Sequence, residues 1–373
     1  MAKRFTRVIL TTWLAVFVVL MLMANGQEEK NPDEQPDAPA AGAADQGEPQ
    51  VTELIAGLRF PTAMAVRPSG GRDQVEVWVA ECGESKVVRY HSGSSEGWSD
   101  AIVELSAPPE ANGEENAEGQ ESEEEPSGAP IPAGLYFQSR NRLVLTHGGE
   151  LPLRVFDIKD NGLPLKGGNA DQLGEPKEAW AGGLAAVARN PDGLYFLGFG
   201  GERTNWIALA PIKGAEIGPI EKFRDATKGT DSDTPRAITF SSKGYLVIGL
   251  AGDEAGESRL VFLDPYRGES PPVMVLKTGL ADINSLAYHP KSGSLYAADS
   301  SWSDAEKGGI YRLDAKSVEQ GGNESCEAVL VANLPYAMAI DFDSEGNLYA
   351  VSAASPDGTG EPTGKLIKVT GQL

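Results

Sequence analysis

The sequence predicts an all-β chain folded as a six-bladed β-propeller of four-stranded antiparallel blades, with an N-terminal strand closing the last blade. Three observations carry this reading. A short pattern recurs six times at nearly constant spacing, each copy is followed by a turn and further strands, and an apolar segment precedes the first copy.

The pattern is proline or a substitute, any residue, then a small residue that opens an apolar run. Its first positions are Pro61, Pro132, Gly183, Pro235, Ile283 and Pro335, and its small residues are Ala63, Gly134, Ala185, Ala237, Ser285 and Ala337. The intervals are 71, 51, 52, 48 and 52 residues, a period that marks repeated supersecondary units. Turns rich in Gly, Asp, Ser and Pro come next, as in Asn190-Pro191-Asp192-Gly193 and Asp343-Ser344-Glu345-Gly346. They join each run to a second apolar strand, at 75–80, 194–199, 245–250, 295–298 and 348–351, which makes a hairpin. Alternating third strands follow at 87–90, 153–157, 206–210, 259–263, 310–313 and 365–369, and fourth strands at 102–105, 222–224, 273–276 and 328–331.

The long first interval has a local cause. Residues 107–128 hold eight glutamates and no lysine or arginine, and without these 22 residues the interval falls to 49. Such a segment cannot bury apolar surface and is expected to be a disordered loop. The sixth repeat has only three strands before the chain reaches Leu373. Residues 51–56 supply the missing strand and remove an unpaired edge.

The first 26 residues read as a signal peptide or an N-terminal anchor. Lys3, Arg4 and Arg7 precede the apolar stretch 8–24 and the small-residue run Ala24-Asn25-Gly26. That stretch is 17 residues, so both a cleaved leader and a short uncleaved membrane anchor stay open. Residues 27–50 are acidic and rich in Pro and Ala, and read as a flexible tether ahead of a propeller at 51–373. The expected location is outside the cytoplasm, periplasmic or extracellular, or membrane-anchored by residues 8–24.

The formal charge is −22, of which the tether contributes −6 and the glutamate-rich insert −8. No basic stripe is available to replace phosphate counterions, so nucleic acid is excluded as a partner. Cys82 and Cys326 fall on repeats one and five with repeat six between them, and are expected to be free thiols. His289 occupies a turn, His91 ends an outer strand, and His147 precedes Gly148-Gly149. No Gly-x-Ser-x-Gly nucleophile elbow occurs.

In repeat five, Asn284-Ser285-Leu286-Ala287-Tyr288-His289-Pro290 runs into Leu295-Tyr296-Ala297-Ala298-Asp299-Ser300 and Gly309-Ile310-Tyr311-Arg312-Leu313-Asp314. This resembles a blade of the gluconolactonase and senescence-marker-protein family. Pro335-Tyr336-Ala337-Met338-Ala339-Ile340-Asp341, with Glu345-Gly346-Asn347-Leu348-Tyr349-Ala350, is similar both to that family and to the NHL-repeat propellers. The resemblance implies an axial divalent cation such as calcium, held by carboxylate and asparagine side chains that open the inner strands, for lactone or ester hydrolysis.

The residues after each first position are Thr62, Ala133, Leu184, Arg236, Asn284 and Tyr336. Only Asn284 matches the ligand set that the resemblance implies. Tyr336 stands where an aspartate is expected, and Arg236 repels a cation. The ring therefore reads as a degenerate metal site, with Asn284, Asp282 and Glu81 as weak candidate ligands if the register shifts by two residues. Thr62, Arg236, Asn284 and Tyr336 are instead candidates for binding a small anion or polar, sugar-like ligand.

The expected function is a non-catalytic binding or scaffolding propeller without cofactor, a monomer holding a protein or a small polar ligand. A divergent metal-dependent lactonase-like hydrolase is the alternative, and a quinone-dependent sugar dehydrogenase-like oxidoreductase the third reading. The last calls for a histidine base and several arginines around the cofactor, of which the sequence offers His147 and Arg236.

Overall fold

The computed structural model describes residues 48–68, 75–92, 98–104, 132–148, 153–159, 171–172, 183–198, 205–214, 216–228, 234–252, 256–316, 325–353, 363–371 and 373. The leader, most of the tether and the glutamate-rich insert lie outside them. The described residues belong to one unit, Gly47–Leu373.

Each repeat is an antiparallel sheet. Blade one runs Pro61–Arg67, Glu76–Glu81, Lys86–His91 and Trp98–Glu104, and blade two Pro132–Ser139, Arg142–His147, Leu153–Asp157 and Asp171–Gln172. Blade three pairs Leu184–Asn190, Gly193–Gly198, Trp206–Lys213 and Glu221–Asp225, with the short strand Glu216–Ile217 beside them. Blade four is Thr234–Phe240, Leu246–Ala251, Arg259–Leu263 and Met274–Lys277, and blade five Ile283–Tyr288, Leu295–Asp299, Gly309–Lys316 and Ser325–Asn333. A single parallel bridge, Lys277 to Ser325, joins the outer strands of these two. In blade six, Ala337–Phe342, Leu348–Ser352 and Gly364–Thr370 are completed by Gln50–Leu58. Val51 pairs with Val369 and Ala56 with Lys365, so the start of the folded unit closes its end as expected.

Every inner strand contacts the inner strands of the two neighbouring blades, and the first contacts the last, which closes a ring of six. The core is divided accordingly into six apolar clusters, one at each blade interface. Large second-strand aromatics fill these gaps. Trp78, Tyr195 and Tyr296, on blades one, three and five, each meet a phenylalanine of the next inner strand. The partners Phe137, Phe240 and Phe342 lie edge-on at 5.6, 5.1 and 5.2 Å, the arrangement that aromatic quadrupoles favour.

The small residue of the repeat follows from convergence at the axis. A Cβ on Gly134 would lie 2.8 Å from the Ala185 carbonyl oxygen of blade three. Neighbouring inner strands approach too closely there for a large side chain.

Candidate functional site

The ring encloses an axial channel of about 1350 Å³ that is lined by all six inner strands. Alanine is the commonest of its lining residues, and the polar side chains that reach it decide what it binds. Inner strands do not hydrogen-bond to one another in a propeller, and side chains cap their free backbone groups instead. Thr62 Oγ1 donates to the Pro132 carbonyl at 2.8 Å, and Thr146 Oγ1 to the Ala185 carbonyl at 2.6 Å. Ser285 Oγ accepts from the Ile340 amide at 3.2 Å, and Asp341 Oδ2 from the Val66 amide at 2.8 Å.

Side chains at the N-terminal mouth are aimed by β-bulges. Register shifts fall at Pro61/Ala63, Pro132/Gly134, Leu184/Val187, Pro235/Ala237, Ile283/Ser285 and Ala337/Ala339. A bulge re-aims the extra residue. Four of the expected mouth positions, Thr62, Ala133, Arg236 and Asn284, sit inside these shifts and line the channel.

Blade six is offset by two residues. Met338 occupies the bulge, and Tyr336 matches Phe60 of blade one, both with positive φ, 56° and 47°. The Tyr336 carbonyl accepts from the Ala353 amide as the Phe60 carbonyl does from Cys82. Bulky residues in this conformation are rare and concentrate at functional sites. In blade three the shift spans Ala185 and Ala186, which line the channel, whereas Leu184 is buried.

The resulting mouth is polar and aromatic. Arg236 is exposed there, and no carboxylate pairs with it among the described residues; Asp231 and Asp233 lie outside them. Asn284 Nδ2 donates to the Ala337 carbonyl at 3.4 Å and lies 4.0 Å from Met338 Sδ. Trp302, from the loop after the second strand of blade five, also lines the mouth and stacks on Tyr336 at 5.4 Å and 22°.

The carboxylates near this end are committed to protein donors. Glu81 accepts from the Arg59 amide at 2.6 Å and pairs with Lys86 at 3.3 Å. Asp282 accepts from the Trp302 amide, and Asp299 from the amides of Ala281, Asp282 and Ser301. Burial pushes the Asp299 carboxyl up, against the pull of those amides. Among the described residues no three His, Cys, Asp or Glu side chains group to hold a metal ion. Of Asn284, Asp282 and Glu81, only Asn284 lines the channel.

His147 is buried behind Pro132, its strand partner, and does not line the channel. Its Nδ1 bonds the Gly148 carbonyl at 2.7 Å, and burial holds its pKa below the usual histidine range. His289 Nδ1 accepts the amides of Lys291 and Ser292, a turn role. Cys82 and Cys326 are both free thiols, and burial raises the pKa of each. Cys82 lines the mouth as a weakly acidic thiol rather than an activated nucleophile.

At the other end of the channel lies a carboxylate that sequence reasoning passed over. Asp341 accepts from Val66 and Phe342 at 2.8 Å each, and burial pushes its pKa up to about 6.

No family model and no curated protein matches the chain. Solved structures do. An oxidoreductase of the glucose dehydrogenase type from Thermus thermophilus is 16% identical, covers 86% of this chain and all of its own, and gives a TM-score of 0.52. The PQQ-bound aldose sugar dehydrogenase of Streptomyces coelicolor is 14% identical over 87% of this chain and 99% of its own, at 0.53. A luciferin-regenerating enzyme is 11% identical over 87% and 95%, at 0.50. The chain shares their fold.

These likenesses correct three expectations. The chain was expected to be a non-catalytic scaffold, to lean away from being an enzyme, and to take no cofactor. All three similar structures are named as enzymes, and one is named with a bound quinone. Those expectations leaned on the depleted metal ring, which bears only on metal-dependent chemistry. A propeller channel can support chemistry without a protein-ligated metal.

Proposed function

We propose that the chain is an oxidoreductase of the quinone-dependent sugar dehydrogenase kind, with its reactive site at the Arg236 mouth. One observation carries this reading. A guanidinium with no carboxylate partner among the described residues shares the mouth with the Trp302 indole, which Tyr336 backs from outside the lining, while the nearby carboxylates are occupied by protein donors. That donor set disfavours a divalent cation and suits a flat, anionic ligand.

A tricyclic quinone carrying carboxylates has this character. Arg236 would meet its charge, Trp302 its face, and Asn284 and Thr62 its polar edge. When bound, such a quinone supplies the two-electron acceptor for oxidation of an alcohol. The chain itself contributes orientation, a charge-matched rim and a deep, largely apolar channel that limits water.

The test is titration of the purified protein with PQQ, followed by tryptophan quenching and dye-coupled oxidation of aldoses. Saturable quenching that is lost in Trp302→Phe, together with aldose-dependent dye reduction, is expected. Absence of saturable binding, with lactone hydrolysis that depends on added calcium, would overturn the proposal in favour of the lactonase-like reading.

A further inference from the structure

The two ends of the channel differ in kind. Thr62, Arg236 and Asn284 lie within the first three residues of their inner strands, whereas Tyr136, Arg189 and Asp341 fall in the second halves of theirs, and all six line the channel. The inner strands run in one direction around the axis. Thr62 bonds the start of blade two and Asp341 the late residue Val66. The second trio is therefore remote from the first mouth.

We propose that Asp341, Tyr136 and Arg189 form a second small-molecule site, at the end of the channel opposite Arg236, that takes a small hydroxy acid. The Asp341 carboxylate accepts two amides, one on each oxygen, and an ionised carboxylate has about four lone-pair sites, so capacity remains. Arg189 Nη1 donates to the Gln138 carbonyl at 2.8 Å. Five N–H groups leave donors to spare. All three residues line the same channel.

Asp341 and Arg189 share a cavity, yet no ion pair joins them among the described residues. An acid and a guanidinium held apart in one wall complement a ligand that carries both a donor and an anion. The anionic end belongs on the Arg189 fork and the donor on Asp341.

Other charged groups near this end fit the same assignment. Asp343 is consumed by the amides of Glu345 and Asn347, by Asn347 Nδ2 and by the Tyr349 hydroxyl. Lys368 lines the channel as a second cation and lies over the Tyr349 ring at 5.6 Å. A hydroxyl suits Asp341 better than an ammonium does, because a further buried charge would have to be desolvated.

The inference does not depend on chemistry at the first mouth, and one pair of variants separates the two sites. Calorimetric titration of the full chain with D-gluconate, and with D-glucose as its neutral counterpart, is the measurement. Saturable 1:1 binding of gluconate is expected, with glucose weaker by about tenfold or more. Arg189→Gln and Asp341→Asn should each lower gluconate affinity by about tenfold, and Arg236→Gln should leave it unchanged. Tyr136→Phe should weaken it less and keep the fold. Should Arg189→Gln fail to fold, Arg189→Lys retains the charge without the fork and is expected to lose affinity as well. Absence of saturable binding up to about 10 mM, or loss in Arg236→Gln with none in Arg189→Gln, would overturn the proposal.

Discussion

The Asp341 carboxylate accepts a hydrogen bond from the Val66 amide at 2.8 Å, across the seam where the last inner strand meets the first. The two residues are 275 positions apart, and the bond exists only when the ring is closed.

This seam should titrate. Burial and the neighbouring Asp343 push the Asp341 pKa up to about 6, against the Val66 and Phe342 amides that favour the charged form. In the unfolded chain an aspartate titrates near 3.9. Between those values the folded state binds more protons than the unfolded state, so this group makes stability fall as pH rises from about 4 to about 6. Thermal unfolding across that range should show the decline in the wild type and a flatter profile in Asp341→Asn. Identical profiles for the two proteins would remove the assignment.

Closure by Gln50–Leu58 should be separable from the rest of the fold. Deleting residues 48–56 leaves Gly364–Thr370 with one open edge and removes Ile55 from the cluster that buries Leu366. It also removes the Lys365–Glu53 pair at 2.8 Å, an exposed contact of small weight. A lower unfolding temperature and concentration-dependent association are expected, and a peptide of residues 48–58 should restore both. A truncated protein that stays monomeric and equally stable would show that the seam does not depend on this strand.

The ring, its six repeats and its closing strand were legible in the sequence because each depends on periodicity. Pro61, Pro132 and Pro235 open inner strands at the expected places, and Val51 meets Val369. The register of blade six was not legible. Pro335-Tyr336-Ala337 imitates the start of the repeat, while the strand pairing begins at Ala337 and places Met338 where Tyr336 was expected. The left-handed backbone shared by Phe60 and Tyr336 marks the same offset, and that is a property of the fold rather than of residue type. The stacking of Trp302 and the role of Asp341 were not legible for another reason. Their roles come from contacts across blades, with Tyr336 and with Val66, which no local pattern encodes.

Gly134 tests the close approach of inner strands directly. An added Cβ would lie 2.5 Å from Thr146 Oγ1 and 2.8 Å from the Ala185 carbonyl oxygen, and that carbonyl already accepts from Thr146 at 2.6 Å. Gly134→Ala must displace one of these groups, and overpacking of this kind costs about 1–3 kcal/mol. Denaturant unfolding should show a loss of that order with an unchanged m-value. A neutral result would mean that blades two and three can part at the axis without cost.

Arg236 offers the sharpest test of the first mouth, because its side chain is exposed and its loss should leave the fold intact. A planar guanidinium binds carboxylates through two parallel N–H bonds, which a lysine cannot reproduce and a glutamine cannot charge. Affinity for PQQ should therefore fall by about tenfold or more in Arg236→Gln, and by a smaller factor in Arg236→Lys, with unfolding temperatures unchanged. Raising the salt concentration should weaken wild-type binding and affect Arg236→Gln less, since the screened attraction has gone. Equal affinity of wild type and Arg236→Gln at low salt would place any anion elsewhere in the channel and detach the quinone from this mouth.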